Sequence, residues 1–125
     1  PGSSGWFHAG LVTYALGAKT RLLGVPEALL ERHGAVSEPV ARAMAEGARR
    51  AAGVDLAVSV TGIAGPAGGE VLRPVGTVWF AWALADAHTQ VAVEHFEGDR
   101  EAVRAAAVLR ALDGALACLG AAPAS

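Results

Sequence analysis

Apolar positions along the chain repeat with two different periods, and the switches between them divide it into eight elements. Leu11 to Ala15 is short, β-branched and aromatic, which predicts a strand. Leu16, Lys19, Leu22 and Leu23 then fall at helical spacing, stopped by Gly24 with Pro26 just beyond. A second short helix is predicted over Pro26 to Arg32, ended by His33-Gly34. The next helix has the clearest boundaries: Ser37 as N-cap, Pro39 in the first turn and Gly53 at the C-terminus. Its inward stripe is Val40, Ala43, Met44, Gly47, Ala48 and Ala51, with Arg42, Glu46, Arg49 and Arg50 facing away. On that wet face Glu46 and Arg50 stand four apart and can pair.

Strand character returns in Val54 to Val60, which runs into a glycine-rich loop from Thr61 to Gly69. Val75 to Leu84 is nearly continuous in apolar residues and predicts a central strand covered on both faces. A turn at Asp86 to Thr89 leads into Val91 to Phe96, which together suggest a hairpin. Gly98-Asp99 opens the last helix, Arg100 to Leu119, with Ala105, Val108, Leu109, Leu112, Leu116 and Leu119 expected inward. Helices interleaved with apolar strands predict an α/β fold, a layered α/β/α sandwich, and the hairpin makes its sheet mixed. Residues 1–125 contain no internal repeat or long linker and read as a single domain.

Composition narrows the class. The chain is 53% hydrophobic and 18% charged with a formal net charge of −2, which argues against disorder and against a polybasic nucleic-acid arm. The apolar runs are interrupted too early to span a bilayer, and no charged head precedes an apolar stretch near the start. One cysteine, Cys118, leaves no intrachain disulfide and little basis for a thiol zinc site. A cytoplasmic domain is the expectation, with neither nucleic acid nor membrane as partner. The residue counts add one detail: Arg outnumbers Lys nine to one, so Lys19 stands alone.

Three groups of residues could carry chemistry. The loop Thr61-Gly62-Ile63-Ala64-Gly65-Pro66-Ala67-Gly68-Gly69 lacks both the Walker spacing and the dinucleotide fingerprint. It is either an irregular connection or a strand-end loop whose backbone N–H groups cradle an anion. Ser3, Ser4, Tyr14 and Lys19 form the second group. A serine hydroxyl needs a base to become a nucleophile, and a desolvated lysine serves if burial lowers its pKa from about 10.4 toward about 7–8. The commoner reading of such a lysine is one snorkelling from a helix end, against which stands the uniqueness of Lys19, and the two serines read as turn residues. Arg100 is the third: it is either a cap-side residue or, at a helix N-terminus, a bidentate anchor for phosphate. His8, His33, His88 and His95 lack zinc-site spacing, Trp79 and Trp82 read as layer-packing residues, and Cys118 as a small buried hydrophobe.

Several blocks occur together: Pro1-Gly2-Ser3-Ser4-Gly5-Trp6-Phe7, Leu11-Val12-Thr13-Tyr14, Ala18-Lys19, Leu23-Gly24-Val25, His33-Gly34-Ala35-Val36-Ser37-Glu38, Val60-Thr61-Gly62-Ile63-Ala64-Gly65-Pro66, Pro74-Val75-Gly76-Thr77-Val78-Trp79 and Gly98-Asp99-Arg100. In order and over nearly the whole chain they resemble the CinA C-terminal domain family. The resemblance implies a nicotinamide-nucleotide amidase, converting nicotinamide mononucleotide to nicotinate mononucleotide and ammonia. It further implies Ser4 as nucleophile, Lys19 as its base and Tyr14 in support of the pair. Gly2 would help hold the carboxamide oxygen, Thr61, Gly62 and Gly65 would line the nucleotide site, and Arg100 would anchor substrate. Neither metal nor cofactor is implied.

The chain departs from the family pattern in three places. The resemblance begins partway into the family pattern, so the domain is expected to lack roughly 40 upstream residues, with a helix, a strand and a Glu-Ser-Cys-Thr-Gly-Gly loop. The family's Asn-Glu-Ala-Lys reads Leu16-Gly17-Ala18-Lys19, and its lysine before Pro-Val-Gly is Arg73. A rival expectation is therefore a non-catalytic nucleotide-binding or partner-binding domain of a competence/damage-inducible protein. Self-association into a homodimer is also expected, through an exposed sheet edge or the small-residue face at Ala43, Gly47 and Ala51.

Overall fold

The structure is a computed structural model describing residues 2–63 and 75–120. After a 3₁₀ turn at Ser3–Gly5, the chain forms α1 (Leu16–Leu23), α2 (Glu27–His33), α3 (Glu38–Ala52), β1 (Leu56–Gly62), β2 (Thr77–Leu84), β3 (Gln90–His95) and α4 (Arg100–Gly120). Glycine ends α1 because the chain must turn left-handed there. Gly24 has φ 71°, its N–H bonds Thr20 O at 2.9 Å, and the Val25 N–H reaches back to Lys19 O at 3.2 Å. That turn drops Val25 into full burial and hands the chain to Pro26 at the head of α2.

The three strands lie in the order β1-β2-β3, and both pairings are antiparallel. The expected central strand and hairpin are present, whereas the expected mixed sheet is wholly antiparallel among the described residues. Residues 11–15 also depart from expectation. They pair with none of the three strands, and instead form an exposed lead-in to α1 from which only Thr13 is buried. Local β-propensity without a ladder partner leaves an extended segment, because the hydrogen bonds that define a strand are supplied by its neighbour.

Alternation along β2 builds two cores. Val78, Phe80 and Trp82 meet Val103 and Ala107 of α4, while Ala81 and Ala83 on the opposite face meet Ala41 and Ala45 of α3. The result is three layers, α3 over the sheet over α4. A third cluster, Leu23, Val25, Leu30, Val40 and Met44, fastens α1 and α2 to the outer side of α3. Gly47 makes that last packing possible: a Cβ there would lie 1.8 Å from the backbone oxygen of Leu23. Of the small-residue face of α3, Gly47 is thus buried against α1 and Ala43 is half-buried, whereas Ala51, expected inward, is exposed.

On α4 the buried face is the opposite of the expected one. Val103, Ala107 and Gly114 are buried, with Ala111, Ala115 and Cys118 packed alongside, while Val108, Leu109, Leu112, Leu116 and Leu119 are exposed and Ala105 with them. Trp82 decides this. Its indole Nε1 donates to Ala111 O at 3.0 Å, and a Cβ at Gly114 would come within 2.1 Å of its ring. Only a face of small residues lets the helix approach so large a side chain.

On the wet side of α3, Glu38 bonds Arg42 at 2.7 Å, about two turns before the expected Glu46–Arg50 pair. Glu46 instead accepts from Thr89 Oγ1 at 2.6 Å, and Arg42 donates to Thr89 O at 3.1 Å, so the hairpin turn is tied to the helix. Ser37 occupies the N-cap position, but its hydroxyl donates back to Gly34 O at 2.8 Å.

Candidate active site

Lys19 projects from α1 into a buried position, with only 6% of its surface exposed. Its Nζ donates to the backbone oxygen of Thr13, six residues upstream and itself buried. A neutral carbonyl does little to compensate a desolvated ammonium, and burial accordingly lowers the Lys19 pKa from its ordinary value. The lysine read from sequence as either snorkelling or desolvated is therefore the desolvated kind. Beside it the hydroxyl oxygen of Thr20 is buried without a hydrogen-bond partner among the described residues.

The other members of this group sit differently. Ser4 lies in the 3₁₀ turn, exposed, and that turn is closed by the Gly5 N–H to Gly2 O at 3.2 Å and the Trp6 N–H to Ser3 O at 3.0 Å. Gly2 itself is left-handed at φ 83°, a conformation that favours glycine. Tyr14 follows buried Thr13 and points the other way, 94% exposed. Among the described residues no hydrogen bond joins Lys19 to Ser4 or to Tyr14.

Thr61 and Gly62 are the last residues of β1, so the glycine-rich segment leaves the sheet two residues later than expected. Thr61 is buried, and its Oγ1 donates to Ala35 O at 2.8 Å, while Ser59 on the same face donates to Ala41 O at 2.6 Å. These two hydroxyls pin β1 to the start of α3 and to the turn before it. Gly62 lets β2 approach closely, since a Cβ there would meet Val78 Cγ2 at 2.8 Å. The neck of the loop is closed by the Ile63 N–H to Thr77 O at 2.9 Å and the Gly76 N–H to Ile63 O at 2.6 Å. Gly65 and the remainder of the loop lie outside the described residues.

Arg100 opens α4 and is exposed. The first turn there carries its own anion: Asp99 Oδ1 accepts from the Ala102 N–H at 2.9 Å. A phosphate at this terminus would share the remaining N–H groups with that carboxylate. Two open depressions, of about 730 Å³ between α4 and the β2–β3 hairpin and about 270 Å³ at the C-terminal end of α3, are lined by none of the predicted site residues. Among the described residues no group of three or more His, Cys, Asp or Glu side chains is placed to hold a metal, and no helix is long and apolar enough to cross a membrane.

The carbonyl partners escaped sequence reasoning. Thr13 O, Ala35 O and Ala41 O hold Lys19, Thr61 and Ser59. A backbone acceptor has no signature in side-chain identity, and only the folded path of the chain brings it near its donor.

Residues 1–119 match the family model described as the CinA C-terminal domain. A "CinA-like protein" of Akkermansia muciniphila is 54% identical over 116 residues, which is 93% of this chain and 28% of that protein. The "Nicotinamide-nucleotide amidohydrolase PncC" of Enterobacter agglomerans is 56% identical over 115 residues, covering 92% of this chain and 70% of the relative. Among solved structures, a competence-damaged protein (CinA) superfamily protein from Escherichia coli superposes with a TM-score of 0.79 at 48% identity, over 84% of this chain and 60% of that one. The chain thus spans less than a third of the first relative, somewhat over two thirds of the second and three fifths of the solved structure.

Proposed function

The chain belongs to the CinA C-terminal domain family, and on that premise we propose that it hydrolyses the carboxamide of a nicotinamide mononucleotide to the carboxylate and ammonia. The observation that carries this reading is the burial of Lys19 beside a neutral carbonyl, which favours the unprotonated amine. The name of the Enterobacter relative, at 56% identity, supports the choice of substrate.

In the proposed reaction Ser4 Oγ attacks the carboxamide carbon as its proton passes to neutral Lys19. The oxyanion is held by backbone N–H groups of the turn that begins at Gly2. Collapse of the tetrahedral adduct breaks the C–N bond. The lysine returns its proton to the leaving nitrogen and ammonia departs; water, deprotonated by the same amine, then attacks the acyl ester, its C–Oγ bond breaks, and the lysine passes that proton to Ser4 Oγ. This requires Ser4 and Lys19 to come within hydrogen-bond reach when substrate binds, a tightening common at catalytic pairs. Thr61, Gly62 and Gly65 would line the nucleotide, and Arg100 would take its phosphate.

One observation favours a second reading. Ser4 is exposed and not hydrogen bonded to Lys19, as a domain that binds a nucleotide or a partner without turnover would allow. Ammonia release from nicotinamide mononucleotide, followed beside direct binding of the same compound, separates the two. Release that disappears in Lys19→Arg supports the amidase, whereas saturable binding without release supports the second.

A further inference from the structure

Two buried hydroxyls donate to consecutive carbonyls of the turn between α2 and α3. Ser37 Oγ reaches Gly34 O at 2.8 Å, and Thr61 Oγ1, arriving from β1, reaches Ala35 O at 2.8 Å. Ser37 is 8% exposed and Thr61 7%. A serine at the head of a helix ordinarily accepts from an N–H of the first turn. Ser37 makes no such bond. Its hydroxyl braces the turn instead of capping α3.

That brace extends to the neck of the glycine-rich segment. Thr61 is followed by Gly62 and Ile63, where the Ile63 N–H bonds Thr77 O and the Gly76 N–H bonds Ile63 O. Gly62 lies so close to β2 that a Cβ would not fit. On the helical side, Ala35 packs against the cluster of Leu23, Val25, Leu30, Val40 and Met44. The end of β1 is therefore stiff against the sheet, and Thr61 Oγ1 fixes it against the turn. Ser59, two residues earlier, grips Ala41 O inside α3, an acceptor that does not depend on the turn.

From these observations we propose that Ser37 is a positioning residue for the substrate. It braces the turn on which Thr61 rests, and so fixes the end of β1, where Thr61 and Gly62 would line the nucleotide. Ser37 acts through Ala35 and Thr61 without touching the substrate, a role that rests on the amidase reading. Displacing backbone that lines a ligand weakens ground state and transition state alike, so the effect falls on KM rather than kcat.

Steady-state kinetics and amide exchange together test this. In Ser37→Ala, KM for nicotinamide mononucleotide should rise about three- to tenfold with kcat little changed, the scale of one lost hydrogen bond. Exchange at the Ile63 and Gly76 amides should quicken by a similar factor. Ser59→Ala should move neither quantity, and Thr61→Ser, which keeps the hydroxyl, should match the wild type. In a Thr61→Val background Ser37→Ala should add little to KM, because both act along one path. An unchanged KM in Ser37→Ala, or unchanged exchange at the two amides, would overturn the proposal. So would losses in Ser37→Ala and Thr61→Val that multiply, or an equal loss in Ser59→Ala. If the wild type binds the mononucleotide without releasing ammonia, the amidase reading fails and Kd takes the place of KM. If it does not bind, both fail. Should Ser37→Ala not fold, Ser37→Gly, a milder change at this position, replaces it.

Discussion

The ammonium nitrogen of Lys19 donates to the backbone oxygen of Thr13, and among the described residues no carboxylate shares it. A buried lysine so placed is easier to deprotonate than one in water, because the medium that would stabilise its charge has been removed. Amidase activity should therefore rise with pH along a single ionisation whose midpoint lies below the ordinary lysine value of 10.5. Stability carries the same sign. Between the lowered folded pKa and 10.5 the unfolded chain binds more protons than the native one, so unfolding free energy increases with pH across that window and is level below it. Denaturant midpoints measured through the window check this. Lys19→Met should flatten the rise, and Lys19→Arg should lower kcat by about 10²–10⁴-fold, because a guanidinium cannot act as a neutral base.

Ser4 stands exposed in a turn closed by backbone hydrogen bonds. Ser4→Ala is expected to abolish ammonia release while moving the thermal unfolding free energy by no more than about 0.5 kcal/mol, as for other surface positions. Retained activity would shift the nucleophile to Ser3 or to another residue.

Thr61→Val and Ser59→Ala remove hydroxyls from the same strand face, with unequal consequences. Ala35 lies between α2 and α3, so losing Thr61 Oγ1 takes away a side-chain donor that no helix ladder replaces. Ala41 lies within α3, where its oxygen retains the helical N–H of the following turn. Chemical denaturation should show a loss of about 1–3 kcal/mol for Thr61→Val and clearly less for Ser59→Ala. If Thr61 also lines the nucleotide, Thr61→Val should raise KM more than it lowers kcat.

At the head of α4 two neighbours should behave differently. Asp99 caps the first turn through the Ala102 N–H, so Asp99→Ala should cost about 1 kcal/mol of stability. Arg100→Ala should raise KM for the mononucleotide with little change in kcat. An unchanged KM would leave Arg100 a structural residue.

Gly114 lies against the Trp82 ring, where a Cβ would come within 2.1 Å. Gly114→Ala should destabilise the fold by about 1–3 kcal/mol, the usual cost of overpacking, although alanine favours helix elsewhere. Trp82→Phe in the same background should recover part of that loss, as a thermal melt of the pair would show.

The nature and order of most elements could be read from short-range signals. Gly24 and Gly53 end their helices in the left-handed conformation that glycine tolerates best. The ten-residue apolar stretch after the loop became the middle strand because it alone lacks a polar face. The candidate site was legible only as a set of residue types. Lys19 stood out by its uniqueness, yet its burial and its bond to Thr13 depend on how the lead-in to α1 is laid down, and no side chain advertises that path.

Sequence alone determined where the chain is helical or extended, since capping, turn chemistry and hydrophobic period act over a few residues. Tertiary structure decided which faces meet. On α4 hydrophobicity favours the leucine stripe as the inner face, and the structure buries the alanine and glycine stripe instead. On residues 11–15 β-propensity favours a strand, and no described neighbour supplies the ladder. The physical reason is common to both: a helix face or a strand is selected by the shape and hydrogen bonds of what lies opposite it. The indole of Trp82, 29 residues before Ala111 in the chain, admits only a face without bulk.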